Sequence, residues 1–347
     1  MKNQFYDGSK LLSMKDINGE KPEIYICTSN RNAGKTTYFS RYAINKFIKQ
    51  KKLFALLYRY DYDLEQAGEK FFSNVQMFFP ESEMISRSGG EGKFQELFLD
   101  KEKCGYALAL NNAKYYRQFS NYFSDVDLIL FDEFQPEDSS DYVRNEIQKF
   151  RSIHVSIARG NGKQVRYVPV ILIGNPYSLL NPYYTALNVG SRLKKETKFL
   201  RGSGWILEQG FNESAAESAR NSAFNRAFEQ HIYFDNLKAG ETLSDNLSFI
   251  SSGKGKNKYI CTIKYRNKYY AIRTYDEEGI ISCDTSADLS FPYRIAVTTS
   301  DMAPNLISIA HNSYLIKTMR KYFDSGLFRF QNLECKNAVF ALLSISP

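Results

Sequence analysis

The sequence predicts an α/β protein: a parallel sheet with helices on both faces, then a helical linker and a small α+β domain. Strand-like and helix-like patterns alternate up to about residue 205, as they do in parallel sheets. Residues 212–231 have the spacing of one amphipathic helix, and short alternating strands follow residue 259. We therefore expect domains at 1–205 and 245–347, joined by a linker at 206–244.

Composition limits the class of protein. The chain has 347 residues and a net charge of +8, so acidic partners such as nucleic acid are favoured. Its five cysteines and three histidines are too widely spaced to predict a zinc site or a disulfide framework, and we expect a reduced, cytosolic protein. No apolar run approaches the ~18 residues of a membrane span, and the start of the chain does not have the pattern of a signal peptide.

In the first domain, apolar side chains recur at helical spacing where helices are expected, as with Phe39, Ala43 and Phe47. Helices are predicted at 36–50 and 63–78, and strands at 23–28, 53–58, 105–110, 126–131, 168–174 and 197–200. Because ligands of such sheets bind at the carboxyl ends of the strands, the loops after 23–28 and 126–131 are the expected site.

After residue 206 the pattern changes. Alanines and phenylalanines line one side of 212–231, which Asn212 could cap, and we interpret this helix as a linker or lid. The last domain has predicted strands at 259–265, 269–275, 279–283 and 294–299, and predicted helices at 305–325 and 332–343.

The loop at 29–36 has the strand–loop–helix setting of a phosphate-binding P-loop. Its backbone N–H groups would surround phosphate, Lys35 would reach the β- and γ-phosphates, and Thr36 would bind Mg²⁺. Because Ser29 stands at the position of the first glycine, the turn there must avoid strongly positive φ. The predicted ATP-binding residues are Ser29, Asn30, Arg31, Asn32, Ala33, Gly34, Lys35, Thr36 and Thr37.

An apolar strand at 126–131 ends in paired carboxylates. Asp132 could hold Mg²⁺, together with Thr36, and Glu133 could polarise the attacking water as a general base. A strand end that simply becomes polar would look the same in isolation. The pairing with a P-loop favours a nucleoside triphosphatase.

Three further residues are candidates for catalysis. Asn175 ends strand 168–174 and could contact the γ-phosphate or the water, as in ATPases with an additional strand between the P-loop and acid strands. Arg31 lies within the loop and could act in cis. Arg159 precedes a glycine-containing loop and could reach the ATP of a neighbouring subunit, although a solvated loop arginine fits the sequence equally well.

These motifs resemble the encapsidation proteins of small tailed phages with protein-primed genomes, the Salasvirus type of terminase-like, additional-strand P-loop motor. The resemblance covers most of the chain. It includes the arginine-bearing loop at 29–36, Tyr-Arg-Tyr at 58–60, Leu-Phe-Asp-Glu-Phe at 130–134, Asn-Pro-Tyr at 181–183 and Gly-Leu-Phe-Arg-Phe at 326–330.

The resemblance implies an ATP-driven, double-stranded-DNA-translocating motor with ATP and Mg²⁺ as cofactors. It gives Lys35, Thr36, Asp132 and Glu133 the roles above, and it matches Arg159 to the region of a trans-acting arginine finger. It further implies a homopentameric ring at the portal vertex of a procapsid in the host cytoplasm. A structural packaging RNA would be the scaffold, and the C-terminal domain would be ribonuclease-H-like.

The C-terminal domain has a basic segment with interleaved tyrosines. A nucleic-acid-binding face is predicted from Lys254, Lys256, Lys258, Lys264, Arg266 and Lys268, although an ordinary solvated hairpin remains the alternative. Metal-dependent cleavage needs converging carboxylates, and the candidates Asp276, Glu277, Glu278, Asp284, Asp288 and Asp301 have no convincing arrangement. We therefore expect a vestigial nuclease.

Three alternative functions remain open from the residues alone. A helicase or other nucleic-acid-stimulated ATPase would show strand separation, but no helicase motif series accompanies the loop and the acid strand. A terminase with an active nuclease would cut DNA with a metal. A non-enzymatic portal or RNA-binding protein would leave Lys35 and Glu133 idle.

Overall fold

The computed structural model describes residues 5–136, 141–159, 165–176, 181–189, 192–193, 197–210, 249–308 and 313–344. The chain forms two compact units. Unit 1 comprises Met1–Tyr177 with Thr197–Glu241, and unit 2 comprises Ser178–Glu196 with Thr242–Pro347. The short segment 178–196, which the sequence prediction keeps in the first domain, thus groups with the second unit. The predicted linker start at 206 is wrong, because Trp205–Gln209 is a buried strand paired with Ile24–Thr28 in unit 1. The predicted helix 212–231 lies outside the described residues.

Unit 1 alternates strands and helices as predicted. Its strands are β1 (Ile24–Thr28), β2 (Leu53–Tyr58), β3 (Met84–Gly89), β4 (Phe94–Leu99), β5 (Glu102–Ala109), β6 (Val126–Asp132), β7 (Val170–Gly174), β8 (Phe199–Gly202) and β9 (Trp205–Gln209). Its helices are α1 (Ser9–Ser13), α2 (Lys35–Gln50), α3 (Ala67–Val75), α4 (Ala113–Gln118) and α5 (Glu146–Ala158).

These strands form one nine-stranded sheet in the order β3-β4-β5-β2-β6-β7-β1-β9-β8. The six central strands, in the order β5-β2-β6-β7-β1-β9, run parallel to one another. The prediction of a wholly parallel sheet is wrong at the edges, where β3, β4 and β8 pair antiparallel through short connections. Strand β7 lies between β1 and β6, which is the predicted position of the additional strand.

Burial explains which strands the sequence revealed. β1, β6 and β7 are nearly continuous apolar runs, as expected of strands covered on both faces. Helix α2 packs Phe39, Ala43 and Phe47 into the core. The sequence did not reveal β3 and β4: β3 is only partly buried and mostly polar, and β4 mixes apolar residues with Gln95 and Glu96. The available signal was the Gly-Gly-Glu-Gly turn that joins them.

Unit 2 contains β10 (Lys258–Tyr265), β11 (Lys268–Tyr275), β12 (Ile280–Asp284), β13 (Arg294–Ala296), β14 (Ile307–Ser308) and β15 (Phe328–Phe330). The described part of unit 2 also contains the helices α6 (Pro182–Leu187), α7 (Ser313–Asp324) and α8 (Leu333–Ser344). The sheet order is β14-β13-β10-β11-β12-β15. Strands β10, β11 and β12 form an antiparallel meander, and β13 runs parallel to β10.

Two predicted elements of unit 2 have different bounds. The strand expected at 294–299 ends at Ala296, since a 3₁₀ turn occupies Thr299–Asp301. The helix expected from residue 305 begins at Ser313, because Ile307 instead pairs with Ile295 as part of β14. Within the described residues, no helix is long and apolar enough to cross a membrane.

Candidate active site and basic face

Three strand tips meet at the carboxyl edge of the unit 1 sheet. Thr28 at the end of β1 is paired with Gly174 at the end of β7, and Asp132 at the end of β6 is paired with Ile173. The residues that follow these three strands therefore lie at the same edge of the sheet, as expected of parallel strands. Ser29 donates its backbone N–H to the carbonyl of Gly174 at 3.4 Å, which joins the loop to β7.

The loop at 29–36 turns through left-handed conformations at Asn32, with φ 62°, and at Gly34, with φ 93°. Ser29 does not have a positive φ, as the sequence requires of a residue with a Cβ at the position of the usual first glycine. Asparagine tolerates the left-handed region better than other side chains do. Helix α2 begins at Lys35, and its N-terminus lies at the loop, an arrangement suited to anions.

The Lys35 amine is buried and held by the loop itself. It donates to the Ser29 carbonyl at 2.9 Å, to the Ser29 hydroxyl at 2.9 Å and to the Asn30 carbonyl at 3.0 Å. It also lies 3.2 Å from the Asn175 amide oxygen. Burial lowers the pKa of Lys35, and the charge of Asp132 opposes that effect. The structure thus brings together three predicted regions: loop, acid strand and Asn175.

Asp132 and Thr36 are in contact, since the Thr36 hydroxyl donates to the Asp132 carboxylate. Burial raises the pKa of Asp132 to about 6, against the lowering effect of that hydrogen bond. The backbone N–H of Glu133 also donates to this carboxylate, at 2.9 Å. A carboxylate beside a hydroxyl is a hard-oxygen donor set of the kind that Mg²⁺ prefers.

Glu133 has the left-handed φ of 55°, which is uncommon for a residue with a Cβ, and its side chain is exposed. Arg59, the residue after β2, donates Nη1 to the Glu133 carbonyl at 2.6 Å and Nη2 to the Phe134 carbonyl. The same guanidinium forms a buried ion pair with Glu146 at 3.2 Å. The sequence pattern predicts no role for Arg59, because nothing in it pairs this arginine with residues so distant.

A second contact that the sequence did not reveal fixes the P-loop from outside. Tyr6 donates its backbone N–H to the Ala33 carbonyl at 2.8 Å, and its hydroxyl donates to the Glu208 carboxylate at 2.6 Å. Burial raises the pKa of both Tyr6 and Glu208. The N-terminal segment therefore crosses the loop and attaches to β9.

The two candidate arginines occupy different places. Arg31 is exposed within the loop, and Arg159 is exposed immediately after α5. Residues 160–164, which follow Arg159, lie outside the described residues. Thr37 is half-buried in the first turn of α2. The structure gives no contact between Arg159 and the loop residues.

In unit 2, the predicted basic residues lie on and beside the β10–β11 hairpin. The hairpin turns at Arg266 and Asn267, which both have left-handed φ, 49° and 64°. Lys258 pairs with Asp276, and Lys268 pairs with Glu334. These two ion pairs were not predicted, because both acids lie outside the basic segment of the sequence.

The other four predicted basic residues have no ion pair with a carboxylate in the described part of unit 2. Lys264 lies over the Tyr269 ring and Arg266 over the Tyr265 ring, at 5.7 and 5.3 Å from the centroids. Lys254 and Lys256 are exposed. These four are therefore the cations most available to a phosphate backbone.

The acids of unit 2 that could have formed a nuclease site are engaged separately. Asp284 pairs with Arg273 at 2.8 Å, and Asp301 accepts from the Asn267 backbone at 3.1 Å. Asp288 accepts from the backbone and the hydroxyl of Ser290. Among the residues that the structure describes, no group of three His, Cys, Asp or Glu side chains could hold a metal ion.

The sheet with its inserted strand, the loop at the tip of β1 and the acids at the tip of β6 together define a P-loop-type α/β fold. Residues 1–345 match the family described as Podovirus DNA encapsidation protein (Gp16), and the chain belongs to that family.

Similar proteins cover almost the whole chain. The DNA packaging protein of Bacillus phage phi29 is 25% identical over 344 residues, which cover 98% of this chain and 97% of that protein. The DNA packaging protein of Bacillus phage PZA has the same identity and coverage. A solved structure titled as the phi29 viral genome packaging motor assembly has 23% identity and a TM-score of 0.60, covering 98% of both chains. A Phi-28 gp11 DNA packaging motor has 17% identity and a TM-score of 0.64, also covering 98% of both chains.

Family membership confirms the predicted resemblance and the predicted class of function, a phage DNA-packaging protein. The roles of individual residues remain predictions that the geometry above makes specific.

Proposed function

We propose that this chain hydrolyses ATP to drive double-stranded DNA into a procapsid. The observation that carries the proposal is the position of the Lys35 amine. It lies between the carbonyls of its own loop and Asn175, which follows the additional strand, and the charge of the half-buried Asp132 acts on it. A lysine amine that is held by carbonyl contacts can exchange them for contacts with phosphate oxygens.

The residues present fit ATP and Mg²⁺. The loop offers backbone N–H groups at the start of α2, with the left-handed Gly34 giving the close backbone approach that phosphate needs. Asp132 and Thr36 would hold Mg²⁺ as a contacting carboxylate–hydroxyl pair. The metal would neutralise charge on the β- and γ-phosphates.

Glu133 is the group that this chain offers as a base. Its exposed carboxylate stands one residue beyond Asp132, and we assign it to orient and deprotonate the attacking water. Asn175 would hold Lys35 in place and contact the same water or the γ-phosphate. Arg31 in cis and Arg159 in trans would stabilise charge on the transferring phosphoryl group.

The trans arginine requires an assembly. We propose a ring, a pentamer by family resemblance, at the portal of the procapsid, with a structural packaging RNA as a further partner. The proteins whose solved structures resemble this chain are titled as packaging motors, which supports that proposal. The predicted lid at 212–231, which lies outside the described residues, would pass changes at the ATP site to the C-terminal domain.

For unit 2 we propose a ribonuclease-H-like domain that binds nucleic acid without cutting it. The antiparallel meander β10-β11-β12, extended beside β10 by the parallel strands β13 and β14, supports that fold. Asp284, Asp288 and Asp301 each contact a different partner, which supports the proposal that this domain does not cut nucleic acid. The cations of the hairpin would contact phosphates of DNA or packaging RNA.

Two variants test the proposed reaction. Lys35→Ala removes the phosphate-binding cation, so both ATP binding and hydrolysis should be lost. Glu133→Gln removes only the base, so it should bind ATP and hydrolyse it about 10²- to 10⁴-fold more slowly. Equilibrium binding of a fluorescent ATP analogue and steady-state phosphate release measure the two quantities. Wild-type turnover by Glu133→Gln would contradict the assignment, and wild-type ATP binding by Lys35→Ala would contradict the site.

A further inference from the structure

The buried Arg59 connects three parts of unit 1 at the acid strand. Its guanidinium donates to two successive carbonyls after β6, those of Glu133 and Phe134. It also donates Nε to Glu146, the first residue of α5, at 3.3 Å. Arg59 and Glu146 are 9% and 1% exposed, so the pair is sheltered from solvent.

The turn that follows β6, at Glu133 and Phe134 (the acid turn), needs such a donor. Glu133 has a left-handed φ, which costs a non-glycine residue about 1–2 kcal/mol. A carbonyl shielded from water also loses free energy unless it is hydrogen-bonded. Arg59 bonds to the carbonyls of two successive peptides, Glu133–Phe134 and Phe134–Gln135, and so holds the turn in this conformation.

The guanidinium is itself held on several sides. It lies 5.2 Å from the Phe131 ring centroid and 5.0 Å from that of Tyr142. Glu146 balances its charge and also accepts the backbone N–H of Val143 at 2.9 Å. A planar fork with five donors can serve two carbonyls and a carboxylate together, which a lysine ammonium cannot do in the same geometry.

We propose that Arg59 is a positioning residue for the reaction: it sets the direction of the Glu133 carboxylate through the backbone of the acid turn. This inference rests on the proposed function, in which Glu133 is the base. Through Glu146 the same guanidinium attaches the turn to α5. This helix extends about 20 Å to its end, where Arg159 follows, so one rigid element joins the base to the candidate trans arginine.

Arg166 provides a matched control. It bridges the opposite end of β6 to α5 with the same kinds of contact. Nη1 pairs with Asp127 at 3.2 Å, and Nη2 donates to the carbonyls of Val126 at 2.6 Å and Ile157 at 3.0 Å. Arg166→Lys therefore removes comparable contacts between β6 and α5 without touching the acid turn.

The test compares Arg59→Lys with Arg166→Lys in the full chain, measuring kcat, the affinity for an ATP analogue and the thermal midpoint. We expect Arg59→Lys to lower kcat about 10- to 100-fold with ATP affinity within about twofold of wild type, because a misdirected base affects turnover and not binding. Arg166→Lys should lower the thermal midpoint to a similar extent and keep kcat. Since Glu146 keeps a cationic partner in Arg59→Lys, this variant avoids an unpaired buried charge.

A double variant distinguishes positioning from general damage. If Arg59 acts through Glu133, adding Arg59→Lys to Glu133→Gln should leave the residual rate unchanged. The inference is overturned if Arg59→Lys keeps the wild-type kcat, if Arg166→Lys lowers kcat equally, or if the two losses in the double variant multiply. Absence of hydrolysis by the wild-type chain would instead remove the proposed function, and this inference with it.

Discussion

The Lys35 amine lies 3.2 Å from the amide oxygen of Asn175, 140 residues away along the chain. This contact spans the candidate site, since Lys35 begins α2 and Asn175 follows β7. It connects the loop to β7, the additional strand that lies between the P-loop strand β1 and the acid strand β6. The contact makes the polar side chain at the tip of β7 part of the site.

Replacing Asn175 by alanine should therefore slow turnover more than it weakens binding. The variant loses the group that orients Lys35, while the backbone donors of the loop remain. We expect kcat to fall about 10- to 100-fold and ATP affinity to change several-fold at most. Steady-state phosphate release and analogue binding measure the two effects. An unchanged kcat would show that Asn175 only completes a turn.

Asp132→Asn should stabilise the fold while abolishing Mg²⁺-dependent hydrolysis. The folded-state pKa of Asp132, about 6, lies above the unfolded value near 3.8. The folded chain therefore gains a proton as pH falls through 6, and the cost of the buried charge is present above that pH and disappears below it. In Mg²⁺-free buffer at pH 8, we expect an increase of about 1–3 kcal/mol in unfolding free energy.

The pH dependence of that stabilisation is its control. Denaturant unfolding of wild type and Asp132→Asn should give curves that differ at pH 8 and converge as pH approaches 4. A constant difference across this range would mean that the effect does not come from the Asp132 charge. Because Mg²⁺ competes with this proton for the carboxylate, the apparent affinity of the wild type for Mg²⁺ should weaken as pH falls through 6.

Mixing two inactive variants should restore hydrolysis if Arg159 acts in trans. Arg159→Ala keeps its own P-loop, and Lys35→Ala keeps its own arginine, so some mixed interfaces contain both intact groups. In an equal random mixture about a quarter of interfaces are complete, so we expect about a quarter of wild-type turnover. Each variant alone should be at least about 10³-fold slower than wild type. A mixture no more active than its components would place Arg159 outside the trans site.

The basic hairpin should contribute to the salt dependence of nucleic-acid binding through its unpaired cations. Changing Lys264 and Arg266 to alanine should reduce the slope of log affinity against log salt by roughly 0.9 per lost DNA phosphate contact. Changing Lys258 and Lys268, whose charges are balanced by Asp276 and Glu334, is the control of equal charge and should have a smaller effect. Equal slopes for the two double variants would argue against this assignment.

The sequence was most informative where local pattern and burial coincide. The buried strands β1, β6 and β7 are runs of apolar residues, and the side chains at their tips follow directly from strand position. This is why the residue pattern alone could place loop 29–36, Asp132 and Asn175 at one edge of the sheet. The edge strand β3 could not be predicted from the sequence, because its mostly polar residues show no apolar pattern.

The interactions that shape the site were not predictable in the same way. Arg59 and Glu146 are 87 residues apart, and each looks like an ordinary surface charge in the sequence. Their importance appears only when β2, β6 and α5 are packed together. The same holds for Tyr6 and Glu208, 202 residues apart, which attach the N-terminal segment across the loop.

The central claim is that hydrolysis occurs between subunits and is coupled to DNA. Its most direct test is turnover per chain as a function of protein concentration, with and without linear double-stranded DNA, using Glu133→Gln as the inactive control. We expect turnover that rises cooperatively with concentration, increases when DNA is added and is lost in Glu133→Gln. Turnover that is independent of both concentration and DNA, on procapsids as well as in solution, would contradict it.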